Sequence, residues 1–174
     1  VVETLSRAGA TVEEAPLPDS IDTAIEDQRT IMSVEAASFH QPMFQRQAED
    51  YRPLLRELLR SGLQTSAVTY SRALERRRAF ITDMEQVAEM ADVLLTPSTP
   101  TPALPDLTNT GSRMFQGPWT SCGLPAITLP SGLAASGLPL GIQLVAAPFA
   151  EDRLLAAARW CEQVLDVRLS PPLD

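Results

Sequence analysis

The stretch that decides the fold is Gly123–Leu155, GLPAITLPSGLAASGLPLGIQLVAAPFAEDRLL. Pro125 has no N–H and disfavours helix at Leu124, so Gly123-Leu124-Pro125 ends whatever precedes it. Ala126-Ile127-Thr128-Leu129 is then a short apolar run with a stop signal at Pro130-Ser131-Gly132. A Gly- and Ala-rich connection leads to Gly137-Leu138-Pro139. Leu140–Val145 is a second apolar run, closed by Pro148. Glu151 and Asp152 suit the first turn of a helix, where carboxylates face unpaired N–H groups. The predicted order is strand, tight turn, strand, helix. Both runs are apolar on consecutive residues, which predicts strands of one sheet covered on both faces, with Leu129 and Leu144 buried.

Working upstream, Val93–Thr96 is a third strand, followed by a loop over Thr99–Thr110 rich in Pro, Thr and Asn. Prolines cannot donate to a ladder, so this loop is expected along a surface or a cleft. Earlier still the period is helical. Asp19 or Ser20 can cap a helix with Ile21, Ala24, Ile25, Gln28, Ile31, Met32, Ala36 and Phe39 on its apolar face, and Pro42 should kink or interrupt it. A second helix spans Tyr51–Leu59, with Pro53 in its first turn and Gly62 as its stop. A third opens at Thr65 or Ser66 and runs to about Met90. Thr11–Ala15 is expected as a short strand. The fold class is thus α/β, a mixed β-sheet core flanked by helices. Residues 19–90 form the helical layer, and 91–165 the sheet strands and closing helix, of one domain over 1–174.

Composition narrows the functional classes. Net charge is −8, and the only dense basic cluster is Arg76-Arg77-Arg78, which argues against a nucleic-acid role. That triplet is either an anion site or, more plainly, a solvated helix face. No apolar run approaches the ~20 residues that span a bilayer. Two cysteines and one histidine are too few for a metal site, and no cofactor is expected. Two ordinary thiols fit a reduced, cytoplasmic protein.

The joint pattern of Gly123–Pro130, Gly137–Leu144 and Glu151–Leu155 resembles the C-terminal part of the amidase signature family, serine amidases with a Ser–cis-Ser–Lys triad. Asp92–Pro97 resembles the family's buried strand. Asn109–Phe115 and Trp119-Thr120 resemble the segment before the Gly-Leu-Pro strand. Glu35-Ala36 with His40, and Tyr70 with Ala73 and Arg77, match its helical insert more loosely. Leu5, Gly9-Ala10 and Leu17-Pro18 look like its helix, Gly-Ala, strand, Leu-Pro element.

The chain contains no lysine: all fourteen basic residues are arginine, which stays protonated and cannot act as a general base. No Gly-Gly pair and no Gly- and Ser-rich segment occurs either. The resemblance therefore puts the triad before Val1, and no catalytic residue is assigned within the chain. Val1–Leu5 starts in mid-pattern, with no N-cap and no initiator Met, as expected of the distal part of a longer domain. His40 near Pro42 is expected as a capping or surface group at a helix end. By resemblance, Thr96–Pro102 and Asn109–Cys122 border the substrate cleft, so Thr99, Phe115, Trp119 and Cys122 are the candidate substrate-binding residues. Phe115 and Trp119 lie outside any periodic run, where aromatics either wall a pocket or bury against helices.

The resemblance implies an amidase that hydrolyses a carboxamide C–N bond through an acyl-enzyme. The chain alone is expected to be inactive, and its partners are a small-molecule amide and the N-terminal part of the same protein, with a homodimer left open. Two alternatives stand beside this: a glutamyl-tRNA amidotransferase A-type subunit, and a non-catalytic interaction module on the same scaffold. In the amidotransferase, the residue ten positions before the Gly-Leu-Pro glycine is acidic and helps hold the glutamine amino group. Here that position is Arg113, whose charge repels an ammonium, so a neutral amide or one carrying a carboxylate fits better.

Overall fold

The computed structural model describes residues 1–170; the last four positions of the 1–174 unit lie outside the described residues. In chain order the elements are α1 (Val2–Arg7), α2 (Ile21–Gln47), α3 (Pro53–Gln64), α4 (Ala67–Ala88), β1 (Leu94–Pro97), α5 (Gly117–Cys122), β2 (Ala126–Leu133), β3 (Pro139–Val145) and α6 (Glu151–Leu165). They divide into two compact units, Asp19–Thr82 and the remainder, so the last six residues of α4, from Asp83 to Ala88, belong to the sheet-bearing unit.

In the helical unit, α3 lies close against α2 because both present small residues. Gly62, the expected stop of α3, is instead buried inside the helix. An added Cβ there would sit 2.0 Å from the Ser33 carbonyl oxygen and 2.8 Å from Ala37 Cβ. Only a glycine permits this approach, so Gly62 serves packing rather than termination. The buried stripe of α2 is accordingly made of small groups (Ala24, Ser33, Ala37) with Ile31 and Asp27, while Phe39 is exposed. Pro42 does not interrupt α2, which continues to Gln47. The carbonyl it deprives of a partner belongs to Ser38, and both residues are exposed, so water can satisfy it. The Ser66 side chain caps α4 as expected, accepting from the Thr69 N–H at 3.0 Å.

Asp27, nearly fully buried, receives both Arg76 Nε (2.8 Å to Oδ2) and Arg76 Nη2, a bidentate pair that ties α4 to α2. One arginine of the basic triplet is thus a structural group. Tyr70 donates to the Glu35 carboxylate at 3.2 Å; burial, then the Glu35 charge, pushes its phenol up. His40 lies inside α2, not at a helix end, with Nδ1 3.0 Å from the Tyr51 hydroxyl.

The second unit holds the sheet, strand order β1-β3-β2, all pairs antiparallel. The three predicted strands and the closing helix appear within about two residues of expectation, except that Pro130-Ser131-Gly132 does not stop β2. The register shifts there and the strand continues to Leu133, so the signal marks a bulge. Gly137, at φ +80°, makes the turn into β3. Thr11–Ala15 is not a strand: it is exposed and finds no ladder partner among the described residues.

The register makes the sheet two-sided. Leu95, Leu144 and Ile127 form one cross-strand row, and Ile142 and Leu129 lie on the same face. With Leu5, Leu154, Ala158 and Cys161 they build the core, covered by α6 and α1. The opposite face carries a polar row, Thr96–Gln143–Thr128. There β3 is buried, but Ala126 and Thr128 of β2 are exposed, so the expectation of cover on both faces holds for β3 and not for β2 within this chain.

Candidate active-site cleft

The candidate site grows from that polar face. Gln143, 5% exposed, donates its amide to the Phe115 carbonyl at 2.9 Å and to Thr96 Oγ1 at 3.3 Å. One buried side chain thus fastens the segment before α5 to β1 and β3, and satisfies its donors in doing so. Beyond β1, the Ser98 N–H donates to the Gly141 carbonyl at 3.0 Å. Gly141 leaves room for this: an added Cβ would lie 2.9 Å from Ser98 Oγ.

The irregular segment from Asp106 to α5 is held by short side chain–backbone turns. Asp106 Oδ1 accepts from the Thr108 hydroxyl (2.7 Å) and N–H (2.8 Å), which holds its carboxyl below the usual range. Asn109 Oδ1 accepts from the Gly111 N–H and Ser112 Oγ from the Met114 N–H, at 2.9 and 3.2 Å. Such turns are what Asp, Asn and Ser favour outside helices. The Arg113 carbonyl then accepts from the Gln116 and Gly117 N–H groups and leads into α5.

Trp119, expected outside any periodic element, is on α5 and 4% exposed. Pro118 in the first turn and Gly123 at φ +73°, five residues apart, start and stop this short helix. The indole N–H is buried with no acceptor among the described residues. Cys122, on the same helix, is also buried, and Phe115 is half-buried. Thr99 instead lines an open concavity of about 480 Å³ between Thr99–Leu104 and Thr110–Gln116, its hydroxyl donating to the Thr101 carbonyl at 2.8 Å. The structure therefore brings Phe115 to Gln143 but does not gather all four candidates round one cavity. Sequence reasoning misses Gln143 as a site organiser, although a signal is present: a lone amide inside the buried run Leu140–Val145 must find partners.

Comparisons with known proteins agree with one another. The family model described as Amidase matches residues 1–155, and the chain belongs to this family. A putative amidase AmiD of Mycobacterium bovis is 32% identical over 152 residues, covering 81% of this chain and 32% of that protein. The A subunit of the glutamyl-tRNA(Gln) amidotransferase of Geotalea daltonii is 38% identical over 104 residues, covering 56% and 21%. A crystal structure of an amidase superposes with a TM-score of 0.85 at 28% identity, covering 92% of this chain and 39% of that one. The chain thus spans about a third of the length of the amidase relative and less of the amidotransferase one. The α/β architecture is that of amidase signature proteins. Among the described residues no helix is long and apolar enough to cross a membrane.

Proposed function

We propose that this chain is the distal part of an amidase that hydrolyses a carboxamide C–N bond through an acyl-enzyme, with its nucleophilic serine, bridging serine and lysine in sequence preceding Val1. The observation that carries this is the family match over residues 1–155 in a chain with no lysine: the scaffold is present and the family's base is not. The chain contributes three sheet strands and the wall of the cleft. Gln143 positions the Phe115 segment, Thr99 borders the cleft, and Phe115, Trp119 and Cys122 stand behind it. The buried Trp119 N–H is a donor that an acceptor outside this chain can satisfy. The partners are an amide substrate and the upstream part of the same protein, in a cytoplasmic setting. Arg113, at the position that is acidic in the amidotransferase, favours the hydrolase over transamidation of glutamine.

Labelling with a fluorophosphonate tests the reading. The complete protein should be modified on a serine upstream of Val1 and on none within 1–174, as mapped by mass spectrometry. A label on Ser98, Ser121 or Ser131 would reject it. For the pocket, Phe115→Ala and Trp119→Ala should change the order of kcat/KM across a short-to-long amide series. A uniform loss that tracks a fall in Tm would leave both residues as core.

A further inference from the structure

The turn between β3 and α6 places a phenylalanine where glycine is expected. The Ala150 N–H donates to the Ala147 carbonyl at 3.2 Å, so Pro148 and Phe149 are the two central residues of a four-residue turn. Proline suits the first central position, and the second here has φ +59°. Positive φ at that position ordinarily falls to Gly or Asn, because a Cβ makes it costly. The chain follows that rule elsewhere. Gly9, Gly111, Gly123, Gly132 and Gly137 take the other positive-φ positions, with Asp166 at the C-terminal cap of α6. Phe149 is the one bulky apolar residue held this way among the described residues, and it is 94% exposed. Single exposed apolar residues are ordinary, but one kept in a strained conformation with nothing packed over it is not. The turn is fixed on both sides. The buried Ala146 N–H donates to the Pro125 carbonyl at 3.0 Å, and the N–H of buried Leu154 donates to the Ala150 carbonyl at 3.0 Å. The ring is therefore held out at the end of the sheet where β3 stops and β2 starts. Ala126, at the start of β2, is also exposed, and β2 has a ladder partner on one side only.

We infer that Phe149 is an aromatic anchor for the sequence preceding Val1, its ring filling an apolar pocket in that part of the domain. An aromatic ring presented by a fixed turn buries a large area and loses little freedom on docking. A second copy of the chain is the poorer occupant, because the amidase relative is matched over only 32% of its length and the rest of such a domain can supply the cover. The anchor rests on the distal-part reading for the existence of upstream sequence, but not for catalysis. Two variants test it, each in the complete protein and in the 174-residue chain. Phe149→Cys reports cover directly, since Cys122 and Cys161 are buried. Alkylation at position 149 by iodoacetamide, mapped by mass spectrometry, should be at least about tenfold slower in the native complete protein than in urea, as for a site that opens only with its surroundings. Phe149→Gly suits the turn and leaves the fold intact. It should raise Tm of the 174-residue chain by about 2–4 °C through relief of strain. In the complete protein it should lower Tm, because the contacts of the ring are lost. Alkylation of the complete protein at the urea rate overturns the inference, as does a Tm there that Phe149→Gly raises or leaves unchanged. A Tm lowered by Phe149→Gly in the 174-residue chain overturns it too, as does protection in that chain that grows with its concentration and so assigns the ring to a second copy. Neither readout involves turnover. An inactive complete protein that protects position 149 sinks the amidase and keeps the anchor, and an active one that leaves it open does the reverse.

Discussion

Gly62→Ala reverses the usual sign of a helix substitution, and the structure says by how much. Alanine is favoured over glycine in a helix interior by about 1 kcal/mol, so on propensity alone the change stabilises. At Gly62 the new Cβ would meet the Ser33 carbonyl oxygen at 2.0 Å and carbon at 2.5 Å, against 3.4–4 Å for ordinary contact. The obstacle is backbone, which cannot swing aside as a side chain would, so α3 must move away from α2 by upward of about 1 Å. Overpacking of this kind costs about 1–3 kcal/mol and sometimes more, and with a backbone obstacle the upper end applies. The net expectation is about 2 kcal/mol of destabilisation, or about 4–8 °C in Tm for a chain of this size. Urea unfolding followed at 222 nm, with Tm alongside, measures it. Stability equal to or above that of the parent would show that α2 and α3 do not approach as described, and would refute the argument.

Three further perturbations test other parts of the structure. Arg76→Ala leaves the buried Asp27 carboxylate without its counter-ion and should cost about 3 kcal/mol, whereas Asp27→Asn keeps an acceptor and should cost nearer about 1 kcal/mol; urea midpoints that reverse this order contradict the pair's geometry. Leu144→Ala, at a 1% exposed site in the middle of the sheet, should cost about 2–5 kcal/mol, and Leu140→Ala on the same strand, 39% exposed, much less. Asp106 should titrate below the ordinary aspartate range by carboxyl NMR, and Thr108→Ala should raise its midpoint, since the Thr108 hydroxyl is the main cause. The sign follows: a depressed folded pKa contributes stability above the unfolded value, lost as pH falls through the folded one. A midpoint unmoved by the substitution would remove that hydroxyl as the cause.

Local chemistry made the distal half of the chain legible. Pro125, Gly137 and Pro148 bracket apolar runs too short to be helices, and Glu151-Asp152 open α6, so β2, β3 and α6 follow from neighbours in sequence. What sequence concealed depends on distant partners. The pairing of Asp27 with Arg76 spans 49 positions, and Gly62 looks like a helix stop until α2 is seen against it. Pro42 looks like a break until both it and Ser38 prove exposed. Thr11–Ala15 has the alternation of a strand but no partner to pair with among the described residues. At the site, Trp119 was hidden because a six-residue helix leaves no periodic trace, only Pro118 and Gly123 at its ends. Gln143 was visible as an oddity in an apolar run, yet its bond to the Phe115 carbonyl could not be read without the register.

If the chain carries the cleft wall of an amidase but not its catalytic groups, carboxamide hydrolysis must depend on the sequence that precedes Val1. Ammonia release from a panel of amides, including succinamate, is measured for the 174-residue chain and for the same chain joined to the sequence that precedes Val1. No release above the uncatalysed rate is expected from the chain alone, and turnover sensitive to a serine-directed inhibitor once the preceding sequence is attached. Inhibitor-sensitive turnover by the isolated chain, or none from the joined protein across the panel, would contradict it.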